Sequence, residues 1–343
     1  MKAAILEKLD SPLSIKDVEL TPLKIGQVLV KVLVSGLCGA QIQEISGLKG
    51  NANFLPHLLG HEGCGIVAEI GPGVTKVKVG DKVIMHWRKG DGIESEFPTY
   101  IFEGKKISSG KVTTLSEFSI VSENRLTSVP QETPEYLCAL LGCGLSTALG
   151  VINNEANLKF GESVMIIGCG GVGLNLIQAS KLASAFPIIG VDSFEDKRDF
   201  VEKETKYFIN TSNDNISDYL KSIDIKNIDV IIDTTGKSDV ISKTIPYLSE
   251  NGRYIMVGQP KPGEDVKIIN ASTMFLGNGK TIKATQGGKT SPSDDLPKYI
   301  KLNKAGYLNI DNIVTHEFRL EEINKAIDLL KSGKTGRIMI KMN

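Results

Sequence analysis

The chain has no surplus of charge of either sign: 40 Lys and Arg stand against 40 Asp and Glu. Nucleic acid is held by basic surfaces, so this balance argues against it as the main partner. Cysteine is sparse. The five are Cys38, Cys64, Cys138, Cys143 and Cys169, an odd number without dense spacing. That excludes a disulfide scaffold and points to a reducing compartment. The N-terminal stretch MKAAILEKLDS lacks an apolar run of secretory length. One span, Tyr136 to Asn154, is free of formal charge and approaches membrane-helix length. Gly142, Gly144 and Gly150 interrupt it and it follows Pro134, so it reads as a buried segment, with a membrane span second. The expectation is a cytoplasmic protein with neither a membrane nor a nucleic-acid partner.

What is present is ordinary globular material. The 343 residues are 41% hydrophobic and 23% charged, enough for two domains with cores that need no staples. Gln27 to Gly36 alternates apolar and polar residues and reads as a strand; Gly63 to Gly71 and Asp81 to Met85 read the same way. Frequent glycine and proline turns between them suggest a mostly antiparallel β domain. After about Leu145 the pattern becomes strand, helix, strand, helix. That is the signature of an α/β fold with a doubly wound parallel sheet. Leu320, Ile323, Ala326, Ile327 and Leu330 recur at a 3–4 spacing and predict an amphipathic helix, with Gly333 as its stop. The predicted division is 1–144 with 287–343 as one domain and 145–286 as the other.

The clearest local motif is Gly168-Cys-Gly170-Gly171-Val172-Gly173, between the apolar run Val164 to Ile167 and a helical stretch. In that context the three spaced glycines serve a tight turn, the approach of a pyrophosphate to the backbone, and close packing of helix on strand. The helix N-terminus then faces the phosphates. Asp192 ends the next strand, where a carboxylate bonds the adenosine ribose and disfavours a 2′-phosphate. NAD is therefore expected over NADP, with Lys197 and Arg198 near enough to keep NADP open. A second set is dispersed: Cys38 in SGLCGA, His61 and Glu62 in LGHEGCG, and Cys143 in LGCGLST. Two thiolates and an imidazole suit zinc and leave its fourth position open. Spacing alone equally allows buried packing cysteines and a core histidine.

These stretches, together with LPHLLGHEGCGIVAEIGPGVTKVKVGDKVI, IIGVD and LLKSGKTGR, make the chain resemble the zinc-dependent medium-chain alcohol dehydrogenases over nearly its whole length, and the class III-like branch most. The resemblance implies a GroES-like catalytic domain beside a Rossmann coenzyme domain. It implies one catalytic zinc per chain on Cys38, His61 and Cys143, with Glu62 behind the metal. Lys197 matches a ribose contact and Arg337 a pyrophosphate contact. Trp87 matches a wall of the substrate pocket, beside Ala40 and His86. A homo-oligomer, dimer or tetramer, is expected on the same ground.

Three departures from the family pattern stand out. Ala40 replaces a hydroxyl that bonds substrate oxygen, Gln41 an aspartate that supports the zinc histidine, and Gln43 a histidine that ends the proton relay. His86 and Glu62 are the alternative proton acceptors. No cysteine lies between Cys64 and Cys138, so no structural zinc is expected, and the lobe from His86 to Val112 must hold by packing and turns. The implied activity is hydride transfer between NAD and an alcohol, aldehyde or ketone. The basic run from His86 to Lys89 raises a polyol or sugar derivative as substrate. A zinc-free quinone or enone reductase and a retired nucleotide-binding protein are the alternatives.

Overall fold

The computed structural model describes residues 1–274 and 279–342. The chain folds into two units, Met1–Ser146 with Ser291–Asn343 and Thr147–Thr290. In the first, valine-rich strands alternate inward and outward residues and close round a β core. The strand Gln27–Leu37 is its axis. It pairs antiparallel with Glu62–Ile70, with Phe118–Ser122 and with Arg337–Lys341. Lys82–His86 and Leu126–Val129 extend the sheet on one side, and Val314–Arg319 extends it on the other. Val28, Val30, Val32, Val67, Val83 and Met85 fill its interior. Glu62–Ile70 is buried on both faces at its start, where the helix Glu135–Leu141 packs on it. A small sheet, with Lys2–Leu6 between Ser14–Asp17 and His57–Leu58, completes the site's surroundings.

The lobe that follows His86 is held by charge and hydrogen bonds. Glu94 pairs with Arg125 and Lys111 and accepts from Asn124. Burial works against ionisation of Glu94, yet these partners together hold its carboxyl down to about 2. The buried carboxylate of Glu123 takes the backbone N–H groups of Thr75, Lys76 and Ile93 at 2.8–3.1 Å.

The second unit is a parallel sheet of six strands. Its order is Tyr207–Asn210, Ile188–Asp192, Val164–Ile167, Ile228–Asp233, Leu248–Met256, Thr281–Ala284. In chain order within the unit this is 3-2-1-4-5-6, the doubly wound arrangement. Its strands are short apolar runs, as sheets covered on both faces require. The expected terminal helix runs Ile323–Lys331 after a single 3₁₀ turn, with Ile323, Ala326 and Ile327 inward. Gly333 stops it at φ 76°. The uncharged span is two short helices, Glu135–Leu141 and Gly144–Gly150, broken at the glycines and bent by 56° where the second runs on to Glu155. No single helix among the described residues is long and apolar enough to cross a membrane.

Candidate active site

The strand Gln27–Leu37 delivers Cys38 to the start of the helix Gly39–Ile45. There the Cys38 N–H donates to Gln41 Oε1 at 3.2 Å, closing the helix cap. Gln41 Nε2 lies 2.7 Å from His61 Nδ1 and donates to Glu44 Oε2 at 3.4 Å. With Oε1 held by the Cys38 N–H, the amide donates to Nδ1; turned over, it would accept from the ring, the contact expected of an aspartate, and give up its bond to Cys38. Cys143 sits at the break between the helices Glu135–Leu141 and Gly144–Gly150.

The Cys38 and Cys143 sulfurs and a His61 ring nitrogen all lie within 4.8 Å of one another. A tetrahedral zinc, with bonds of about 2.0–2.3 Å, needs such ligands about 3.3–3.8 Å apart, so this donor set fits the ion with small side-chain movements. The thiols are prepared unequally. A hydrogen bond from Cys143 holds Cys38 well below the ordinary thiol range against the opposing effect of burial, and His61 and Arg337 add to the lowering. The same bond, with burial, pushes Cys143 up. One thiolate thus forms readily, and a divalent cation replaces the other thiol's proton.

Glu62 is fully buried beside this set. Its Oε2 accepts from the Gly144 N–H at 3.2 Å, and its Oε1 accepts from the Arg337 guanidinium. Arg337, matched to a pyrophosphate contact, is only 3% exposed, and its Nε has no partner among the described residues. His86 requires a correction. It is buried, with Nδ1 at 2.6 Å from the Arg88 carbonyl and Nε2 at 3.0 Å from Thr127 Oγ1. Burial lowers its pKa to about 4, so it is a neutral packing residue, neither a pocket wall nor a proton acceptor. Glu62, the other candidate acceptor, has its carboxylate committed to Gly144 and Arg337.

A cavity of about 590 Å³ opens beside His61. Its walls include His57, Trp87, Phe97, Ser108 and Lys111. Trp87 is among these walls. Ala40, half-buried in the helix Gly39–Ile45, is not among the residues lining the cavity. His57 and Glu44 were not singled out by the sequence. His57 lies four positions before His61 in LPHLLGHE, but nothing in its spacing separates it from a core histidine.

In the second unit the glycine loop joins the strand Val164–Ile167 to the helix Gly171–Leu182. Gly168 has φ 90°, and a Cβ on Gly173 would fall 2.0 Å from the Gly168 carbonyl oxygen. A side chain at either place is excluded by the turn and by the approach of helix to strand. A Cβ at Gly170 would meet nothing within 4 Å, so the loop keeps an open cradle before the backbone N–H groups of Gly171 and Val172 at the helix start. Asp192 accepts the Cys169 N–H at 2.7 Å, and those of Ser193 at 2.7 Å and Phe194 at 3.1 Å. Its carboxylate is thereby fixed at the strand end. Lys197 is buried close to it; burial lowers the lysine's pKa while the Asp192 charge works the other way.

A glycine-cradled doubly wound sheet, joined to a β unit with two sulfurs and an imidazole converging beside a cavity, defines a dinucleotide-dependent oxidoreductase with a metal centre. Residues 24–131 match the family model of the alcohol dehydrogenase GroES-like domain, and residues 171–305 that of the zinc-binding dehydrogenases. The chain is similar to S-(hydroxymethyl)glutathione dehydrogenase of Escherichia coli O139:H28, at 30% identity over 99% of each chain. It is similar in structure to an alcohol dehydrogenase zinc-binding domain protein of Burkholderia ambifaria, with a TM-score of 0.92 at 25% identity over 100% of this chain and 98% of that one. It also resembles benzyl alcohol dehydrogenase of Acinetobacter calcoaceticus, with a TM-score of 0.90 at 25% identity over 100% and 99%. The chain belongs to the zinc-dependent medium-chain alcohol dehydrogenase family, and it is an oxidoreductase with a GroES-like and a Rossmann domain.

Proposed function

We propose that the protein transfers hydride between NAD and a small alcohol or its carbonyl counterpart, a polyol or sugar derivative, at one zinc held by Cys38, His61 and Cys143. The observation that carries this is the convergence of those three donors within 4.8 Å beside a cavity. When bound, zinc supplies the Lewis acidity that acidifies a hydroxyl and polarises a carbonyl, and the nicotinamide accepts or returns hydride. The chain's part is positioning. Gln41 contacts His61 from the helix Gly39–Ile45, and Arg337 neutralises the Glu62 charge beside the donors. Trp87 and Phe97 offer faces for the C–H surface of a substrate, while Glu44, Ser108 and Lys111 supply polar groups around it. Of the basic run His86–Lys89, Trp87 alone lines the cavity, so the polyol reading rests on these walls.

Coenzyme is assigned to Gly168, Gly170, Gly171, Val172 and Gly173, with Asp192 and Lys197 at the adenosine ribose and Arg337 as a further contact by resemblance. The carboxylate of Asp192 favours NAD. Residues 1–144 with 287–343 are proposed as the catalytic domain and 145–286 as the coenzyme domain. Self-association as a dimer or tetramer in the cytoplasm is part of the same reading, which sedimentation would check.

Cys143→Ser tests it. The variant should lose zinc and at least 100-fold in kcat/KM together, since a neutral hydroxyl replaces a charged soft ligand (about that order by the effect of losing a metal ligand). Wild-type turnover in a zinc-depleted variant would favour the zinc-free reductase.

A further inference from the structure

His57 forms part of the wall of the cavity that also carries His61 and Trp87. It lies opposite Leu6 of the strand Lys2–Leu6 and is bridged to Ser108 on its other side, which leaves it 7% exposed. Its Nδ1 is 2.9 Å from the Leu58 carbonyl oxygen. A carbonyl only accepts, so Nδ1 carries the hydrogen and Nε2 carries a lone pair. That Nε2 is buried and has no hydrogen-bond partner among the described residues. Buried polar atoms are almost always paired, because an unpaired one has given up water for nothing. Two donors of the same wall are engaged elsewhere. Ser109 Oγ donates to the Pro98 carbonyl at 2.8 Å, and Lys111 Nζ pairs with Glu94 at 3.0 Å. The natural complement of His57 is therefore a donor that arrives with the ligand.

Resting on the dehydrogenase reading above, we propose that His57 is a specificity-determining residue whose Nε2 accepts a hydrogen bond from a second hydroxyl of the substrate. The substrate class is then a diol or polyol, not an alcohol whose single hydroxyl is the reacting one. The physical reason is an asymmetry. A hydrophobic wall tolerates an extra hydroxyl with modest discrimination, whereas a site built to bond a hydroxyl strongly rejects the analogue that lacks it. Such an analogue leaves Nε2 unpaired in the complex as well.

The test compares matched pairs on the zinc-loaded protein: ethylene glycol against ethanol, glycerol against isopropanol, and vicinal cyclohexanediol against cyclohexanol. For the best-fitting pair the diol or polyol should have a kcat/KM about 10- to 1000-fold above its partner. His57→Phe should bring that ratio down towards one. His57→Gln, which keeps an acceptor oxygen, should retain part of it. A second measurement does not depend on turnover or on the variants' folding. The chain has 4 histidines, so a ¹⁵N-histidine spectrum of the wild type is sparse. The preferred diol should shift the lone-pair nitrogen of His57, and the matching mono-alcohol should not. If resonance and ratio both respond, the proposal stands. If the resonance moves but no alcohol is oxidised, the dehydrogenase reading fails and the role of His57 survives. If no diol of the panel moves it more than its mono-alcohol, the proposal is overturned whatever the rates.

Discussion

Gln41 stands where the resemblance places an aspartate, yet its amide reaches His61 Nδ1 at 2.7 Å and the Cys38 N–H at 3.2 Å. One neutral side chain thus touches the ring of one metal-ligand residue and the backbone of another, through opposite ends of its amide. Gln41→Leu should weaken zinc binding about 10- to 100-fold, the usual effect of removing a group that orients a ligand. Chelator competition would measure it, and an unchanged affinity would show that the ring needs no brace. At this scale the sequence was legible where glycines flank a chemical residue, as at Cys38, His61 and Cys143. It misled at His86. A histidine beside a tryptophan in a basic run looks like a site, and only the fold reveals Thr127 and the Arg88 carbonyl closing both its nitrogens. His57 was invisible for the opposite reason, since an unpaired nitrogen is a property of packing.

Among the elements, the turn from Val164–Ile167 into the helix Gly171–Leu182 makes the strictest steric demand on the coenzyme loop. Gly173→Ala would drive a methyl to 2.0 Å from the Gly168 oxygen, pushing the helix off the strand. It should destabilise the protein by about 1–3 kcal/mol, the range for overpacking, and weaken NAD binding. Denaturant unfolding and a fluorescence titration would read both. A variant as stable and as tightly binding as the wild type would refute the close approach. This element was readable because a strand, a spaced glycine run and a helical stretch occur in the one order that makes the motif specific. The lobe from His86 to Val112 was not. Its hold depends on Glu94 meeting Arg125, Lys111 and Asn124, contacts between segments that no local period announces.

For the whole molecule, the alternation of strand and helix after Leu145 carried the parallel sheet, and the alternating valines carried the β unit, because both periods follow from which faces are buried. Global stability should carry the mark of His86. Its pKa is lowered from 6.5 to about 4 in the fold, so between those values the unfolded chain binds a proton that the native state refuses. Stability contributed by the neutral ring is therefore intact above pH 6.5 and falls as pH drops towards 4, by about 3 kcal/mol for a shift of this size. His86→Gln should flatten urea-derived stability across that window. An unchanged slope would place the ring in water.

Zinc per chain, determined by elemental analysis on protein purified without added metal, tests the central claim most directly. The wild type should hold about one equivalent and Cys143→Ser much less, as one three-ligand site requires. A wild type with near-zero zinc that rebinds none on dialysis would contradict the claim, and Cys38 and Cys143 would then be packing residues.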